Sequence, residues 1–329
     1  MSGDLLYVKN LDVTFARKRG FLKKHDEDTK AVNNVSLTVK EGETLGIVGE
    51  SGCGKSTLAR TVLTLQKPTS GTVFFKGQDI FQFNHTEKHK FRKDVQMIFQ
   101  DPFSSLNPRM TVREVIAAPL KAFGCPKADI ETKVKTLMDL VGIHPKYANR
   151  LPHEFSGGQC QRIGIARAIA LKPSLIVCDE PVSALDVSIQ AQIINLLKDL
   201  QKEFNLTYLF ISHDLSVVKN IADRIAVIYL GQVKELATNE SFFNHPSHPY
   251  TNTLLSVIPI PDPKIAKTRE WTFLKNDQAD QKFQTPGCSF YSRCPIAKDY
   301  CKNHDPELVK LAEHHDVACF YPMNQGHIQ

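Results

Sequence analysis

The 329-residue chain predicts an α/β fold: a mostly parallel sheet covered by helices on both faces, with a helical insertion and a small cysteine-containing C-terminal domain. Three observations carry this reading. Short apolar runs end in polar residues, as in "VQMIFQ", "LIVCDE" and "LTYLFISH". The segment "ETLGIVGESGCGKSTLARTVLTL" has the order strand, glycine-rich loop, helix. Four of the eight cysteines are gathered into residues 285–322, behind a polar stretch.

The composition bounds the class. Hydrophobic residues make up 42% and charged residues 23%, ordinary globular values that argue against wholesale disorder. The opening "MSGDLLYVKNLDVTF" has no basic leader followed by an apolar run, so no signal peptide is expected. No apolar run approaches the ~18 residues of a membrane span. A cytosolic setting follows, in which stable disulfides are uncommon and the sequons at Asn84 and Asn205 are chance matches. Nine basic and nine acidic residues follow position 255, so the net charge of +6 lies in the first part of the chain. Its clearest cluster, "ARKRGFLKKH" at 16–25, reads as a solvated loop, with a surface facing anionic lipid or nucleotide as the alternative; no nucleic-acid partner is expected.

Taken in order, Leu45, Ile47 and Val48 supply a short buried strand, and Leu58, Val62 and Leu65 the inward face of the helix after the glycine loop. Between residues 101 and 160 the pattern changes to helices broken by Pro and Gly, read as a helical subdomain over about 101–165. "HPSHPYTNTLLSVIPIPDP" at 245–263 closes the first domain, placed at 1–255. Residues 264–284 read as a linker within the C-terminal region 256–329.

"GESGCGKST" matches G-x-x-x-x-G-K-[ST] from Gly49 to Ser56. Successive backbone N–H groups of such a loop point inward at phosphate, and the helix start beyond adds a positive dipole end. Glu50, Ser51 and Cys53 fill the permissive positions, while Gly52 and Gly54 allow the tight curvature. Lys55 reaches the β- and γ-phosphates; Ser56, with Thr57 beside it, is placed to ligate Mg²⁺. In "SLIVCDEP" a buried strand delivers Asp179 to the metal and Glu180 to polarise the attacking water. Cys178 reads as a packed core residue. "FSGGQ", with Ser156, Gly157, Gly158 and Gln159, opens a further helix and makes a second anion site, useful if it serves a nucleotide held by another subunit.

These motifs, in this order, resemble the ATP-binding subunits of ABC transporters over roughly residues 4–255. The resemblance rests on the phosphate loop at 49–56, Gln100 after a strand, "SGGQ" at 156–159, "LIVCDE" at 175–180, "SALD" at 183–186 and His213. It implies a P-loop NTPase fold, an ABC-type nucleotide-binding domain with ATP and Mg²⁺. Two such domains sandwich two ATP molecules head to tail, each between one chain's Lys55 loop and the other's Ser156 turn. The resemblance also implies that Ser56, Gln100 and Asp179 hold Mg²⁺ and that Glu180 is the general base. His213 grips the γ-phosphate and the attacking water, Asp186 joins the nucleotide site, and an aromatic stacks on adenine. Phe15 sits where the family places that aromatic, with Phe21 as a competitor. Phe155 departs from the leucine usual before SGGQ.

"QMIFQDPFSSLNPRMTV", "HPYTNTLLSVIPIPDP" and the terminal cysteines narrow the resemblance to the second, F-type ATPase of the bacterial oligopeptide/dipeptide importers. That implies a peripheral protein on the cytoplasmic side of the inner membrane. Its partners would be a second ATPase (a homodimer being the alternative), two permeases and an extracytoplasmic substrate-binding protein. Relatives that move nickel or act in resistance to cationic peptides keep the cargo open.

Cys288, Cys294, Cys301 and Cys319 have wider gaps than the tight C-x₂₋₄-C pairs of small zinc sites. Four thiolates approaching from separate loops suit an iron–sulfur cube, and a metal suits a small tail that needs a staple. The importer ATPases that this tail resembles include members with a [4Fe–4S] cluster on such cysteines. Zinc is the alternative, and His304, His314 and His315 are substitute ligands only if one cysteine is dispensable.

Overall fold

The computed structural model describes residues 4–15, 28–257 and 286–324. Strands β1 (Asp4–Phe15) and β2 (Thr29–Lys40) alternate between buried and exposed residues, the pattern of a half-covered sheet. The wholly buried β3 (Thr44–Val48) runs into the glycine loop and α1 (Lys55–Val62). β4 (Ser70–Phe75) and β5 (Gln78–Asp79) form a hairpin. Helix α2 (His85–Asp94), started by an Asn84–Glu87 capping box, feeds β6 (Val95–Ile98). Helices α3 (Val112–Ala122), α4 (Lys127–Leu140) and α5 (Gly157–Ile169) precede β7 (Leu175–Asp179). Next come α6 (Val187–Phe204), β8 (Thr207–Ile211), α7 (Leu215–Ile221), β9 (Arg224–Tyr229) and β10 (Gln232–Thr238). Helices α8 (Asn239–Asn244) and α9 (Pro249–Ser256) follow, then a short helix Asp299–Asn303 and strands β11 (Val309–Ala312) and β12 (His315–Val317).

The chain divides into two compact units. The first comprises Met1–Leu6, Thr38–Thr44 and Phe74–Ser212. Here β6, β7 and β8 run parallel, with Cys178 paired to Ile98 on one side and Phe210 on the other. Every residue of β7 and β8 is buried, as a sheet covered on both faces requires. Helix α6 turns Ile193, Ile194, Leu197 and Leu200 inward, and the Tyr208 hydroxyl donates to the Leu197 carbonyl. Helices α3, α4 and α5 pack on one another, and α5 runs on to Ile169, past the bound of about 165 read from the sequence.

The second unit comprises Tyr7–Leu37, Leu45–Val73 and His213–Gln329. Strand β3 pairs parallel with β9, but β10, β12 and β11 then continue antiparallel. The sheet, expected to be mostly parallel, is antiparallel at this edge. The cause is a two-residue turn: Leu230 and Gly231 both have positive φ, which folds β10 straight back on β9. A further sheet, with β1 between β2 and β4, is one that the sequence reading does not include.

Residues 286–324 are stitched into this unit through β10. Val317 pairs with Glu235, and the Ala318 N–H donates to the Lys234 carbonyl. The fully buried Glu235 carboxylate accepts from the backbone N–H groups of Ser247 and His248, both at 2.8 Å, and meets His315 Nε2 at 2.7 Å. Tyr229, Tyr250 and Phe290, all but fully buried, close a three-ring cluster with centroids 4.6–5.4 Å apart. The basic stretch 16–25, Phe21, the "IPIPDP" ending and the linker 264–284 lie outside the described residues. Among the described residues no helix is long and apolar enough to cross a membrane.

Glu235→Ala strands two buried N–H groups and an imidazole. It is expected to cost about 3 kcal/mol or more, read as a lowered urea midpoint, whereas a surface change such as Glu313→Ala moves it little.

Candidate functional site

In the second unit the phosphate loop leaves β3 at Gly49. A Cβ on Gly49 (φ 153°) would lie 2.1 Å from the Ile228 carbonyl oxygen, and one on Gly54 (φ 106°) 2.0 Å from that of Ala31. Both positions demand glycine, since the loop is pressed against β9 and β2. Gly54 caps α1 without any side-chain hydrogen bond, so no capping side chain occupies the helix start that carries Ser56 and Thr57. Lys55 is buried, and its ammonium donates to the Gly49 and Glu50 carbonyls at 2.8 Å. Cys53 packs beneath the loop; burial raises its thiol pKa, with the Lys55 charge opposing. Its carbonyl accepts from the Gly231 N–H.

Residues that the motif does not contain hold the loop from below. The Glu50 N–H donates to the Tyr250 hydroxyl at 3.0 Å, and Arg293 donates to both Glu50 carboxylate oxygens at 2.9 Å. Sequence reasoning missed Tyr250 and Arg293, because nothing local marks an Arg among cysteines as a partner of Glu50. Phe15 ends β1 and is 43% exposed, as a stacking ring needs to be. His213 directly precedes Asp214, which caps α7 by accepting from Ser216 and Val217.

The remaining nucleotide-site candidates belong to the first unit. Asp179 is buried at the end of β7. Glu180 follows with φ +49°, a left-handed backbone that is rare for this residue type and typical of strained functional positions. Its N–H donates to the Ile211 carbonyl and its own carbonyl accepts from the Ser183 hydroxyl. Its carboxylate accepts from Gln100 Nε2 at 2.8 Å, so the candidate base and the candidate metal-contacting amide are joined directly. Cys178 is fully buried, and burial drives its thiol pKa far above the usual range, leaving an inert core residue.

Ser156 and Gln159 form a reciprocal capping box on α5: the Ser hydroxyl accepts from the Gln159 N–H, and the Gln159 amide oxygen from the Ser156 N–H. A Cβ on Gly158 would lie 2.5 Å from Ile189 Cγ2, and one on Gly157 3.3 Å from Leu185. The glycines thus admit α6 close to the start of α5. Asp186 caps α6, accepting from Ser188 Oγ at 2.7 Å and the Ile189 N–H at 3.0 Å. The Ser188 hydrogen bond is the leading cause that holds its pKa below the ordinary carboxylate value.

Cys288, Cys294, Cys301 and Cys319 all line one small cavity, together with His248, Phe290 and Tyr321. Lys234 is buried beside them; burial pulls its pKa down, while Cys288, Asp305 and Cys319 oppose. His248 is held at about 3 by burial, with Lys234 acting in the same direction, and accepts the Tyr250 N–H through Nδ1. His304 stacks on Tyr300 and His315 is engaged by Glu235. Among the described residues no group of three or more His, Cys, Asp or Glu is arranged to hold a metal ion.

Comparison with known proteins adds to this geometry. The family model described as ABC transporter matches residues 32–183, and that described as oligopeptide/dipeptide transporter, C-terminal region, matches residues 234–301. The chain is 51% identical over 317 residues to the oligopeptide transport ATP-binding protein AppF of Bacillus subtilis, covering 96% of each. It is 49% identical over 319 residues to OppF of Salmonella typhimurium, covering 96% of this chain and 95% of that protein. Among solved structures, the dimeric ATP-binding cassette MJ0796 in a post-hydrolysis state with ADP and Pi superimposes with a TM-score of 0.62 at 32% identity. That match covers 71% of this chain and 98% of that one.

Gly158→Ala drives a methyl group into Ile189. It is expected to destabilise by about 1–3 kcal/mol, seen as a lowered melting temperature, and Ile189→Ala in the same chain should relieve most of the loss.

Proposed function

The chain belongs to the ATP-binding subunits of ABC transporters, in the branch with the oligopeptide/dipeptide C-terminal region, and from that premise we propose that it powers peptide import. The observation that carries this is likeness to AppF over 96% of both chains, C-terminal region included. It is an ABC-type ATPase, using ATP with Mg²⁺.

The residue roles proposed here are those that the motifs imply, and contacts within each unit support several of them. The N–H groups of the Gly49–Thr57 loop and the Lys55 ammonium hold the β- and γ-phosphates, with Lys55 exchanging its two carbonyl partners for phosphate oxygens. Mg²⁺, when bound, offsets the charge of those oxygens; Ser56, Gln100 and Asp179 are its proposed contacts. Glu180 takes the proton of the attacking water, and Gln100, hydrogen-bonded to it, orients that carboxylate. His213 steadies the γ-phosphate and Phe15 stacks on adenine. The capped starts of α5 and α6, with Ser156, Gly157, Gly158, Gln159 and Asp186, face the nucleotide of a second ATPase subunit in a head-to-tail dimer. MJ0796, itself dimeric with ADP and Pi, supports the arrangement. The proposed assembly is a heterodimer of ATPases at the cytoplasmic face of the inner membrane, beneath two permeases fed by a substrate-binding protein.

For the four cysteines we propose a [4Fe–4S] cluster. Support comes from the small cavity that all four of them line and from their number and spacing in the sequence. When bound, the cluster supplies four iron–thiolate bonds that cross-link the C-terminal segment; zinc would need ligands converging on one point.

Two experiments test these readings. In the assembled transporter Glu180→Gln should bind Mg·ATP and lose turnover by about a hundredfold or more, while Lys55→Ala loses productive binding. Wild-type turnover by Glu180→Gln would reassign the base. Anaerobically purified protein should contain about four irons and four acid-labile sulfides per chain; a colourless, iron-free, folded protein removes the cluster.

A further inference from the structure

Glu50 sets a carboxylate in a loop whose task is to receive a polyanion. Uncompensated, that charge opposes the triphosphate, and more strongly in a partly dehydrated site than in water. Arg293 compensates it. Its guanidinium is 5% exposed, forks onto both Glu50 oxygens at 2.9 Å and lies 5.7 Å from the Tyr229 ring centroid, while Nη1 is 3.4 Å from the Tyr229 hydroxyl. With the Tyr250 hydroxyl on its N–H and Lys55 on its carbonyl, Glu50 is gripped at every polar group it has.

Arg293 stands directly before Cys294, in a turn where its own N–H donates to the Phe290 carbonyl. Phe290 in turn packs on Tyr229 and Tyr250. The cysteine segment therefore reaches the phosphate loop through one bidentate ion pair built on a rigid aromatic base. A staple that merely anchored the tail would have no need of a carboxylate inside the phosphate loop.

We propose that Arg293 is a positioning residue for ATP binding: it neutralises and orients Glu50, so that the loop's affinity for triphosphate depends on the cysteine segment being folded beneath it. The proposal rests on reading residues 49–57 as the ATP loop and is independent of which metal the cysteines hold.

The test is steady-state ATPase kinetics of the complete transporter with Mg·ATP, for wild type and for Arg293→Ala, Arg293→Lys, Glu50→Gln and Arg293→Ala/Glu50→Gln. Loss of a charge-assisted pair of this kind should raise KM for ATP about tenfold in Arg293→Ala, with kcat within about twofold. Arg293→Lys, which keeps the charge but not the fork, should recover part of the loss. In the Glu50→Gln background, removing Arg293 should shift KM by less than about twofold. An unchanged KM in assembled Arg293→Ala overturns the proposal. So does a KM rise that persists undiminished in the Glu50→Gln background, since the arginine would then act only through the fold of the tail. If Arg293→Ala does not assemble, Arg293→Met keeps the volume beneath Tyr229 and is read by the same criteria. A wild-type transporter without ATP turnover would instead refute the nucleotide reading, which separates the two failures.

Discussion

A loop that receives phosphate through its own N–H groups has to spend its outer face on other contacts, or it collapses onto itself. In this chain the Ile228 carbonyl presses on Gly49, the Ala31 carbonyl presses on Gly54, and the Gly231 N–H holds the Cys53 carbonyl. Each support comes from a different strand or turn, so β2, β9 and the tight Leu230–Gly231 turn are arranged as they are partly to carry this loop. Only glycine fits at the two pressed positions, and the spacing of the motif is the linear trace of that crowding.

The first unit uses a different economy. Ser156, Gln159 and Asp186 direct their side chains at helix starts, where unsatisfied N–H groups would otherwise be left. Gly158 lets α6 close on α5, bringing two such starts near each other through Ile189. Glu180 accepts a left-handed backbone, fixed by the Ile211 and Ser183 contacts, and this aims its carboxylate at Gln100. Polar residues that a motif scan assigns to ligand binding thus first satisfy the backbone of their own unit.

Much of this was legible in the residues alone. Strands β3, β7 and β8 announce themselves because burial on both faces leaves nearly uninterrupted apolar runs, and the glycine loop because its chemistry needs a fixed spacing. Helices α3 and α4 fall within the Pro- and Gly-interrupted stretch 101–160. The β1–β2–β4 sheet was overlooked although its alternation is present, since that signal is weak beside the loop motif. The antiparallel edge depends on two positive-φ residues, of which only Gly231 is a conventional marker. Glu50 and Arg293 lie 243 positions apart, and no periodicity or spacing connects them. The clustering of the cysteines was suggested by sequence; the buried lysine beside them was not.

The Glu50–Arg293 pair has a consequence for chain exchange between related ATPases. Glu50, Tyr229, Tyr250 and Arg293 form a single lock whose halves come from opposite ends of the polypeptide. Grafting the tail onto a nucleotide-binding core that lacks the matching carboxylate would bury a cation with nothing to face, a defect of about 3–5 kcal/mol. Chimaeras in this family should therefore be cut so that all four residues travel together, however natural a junction at residue 256 looks on paper.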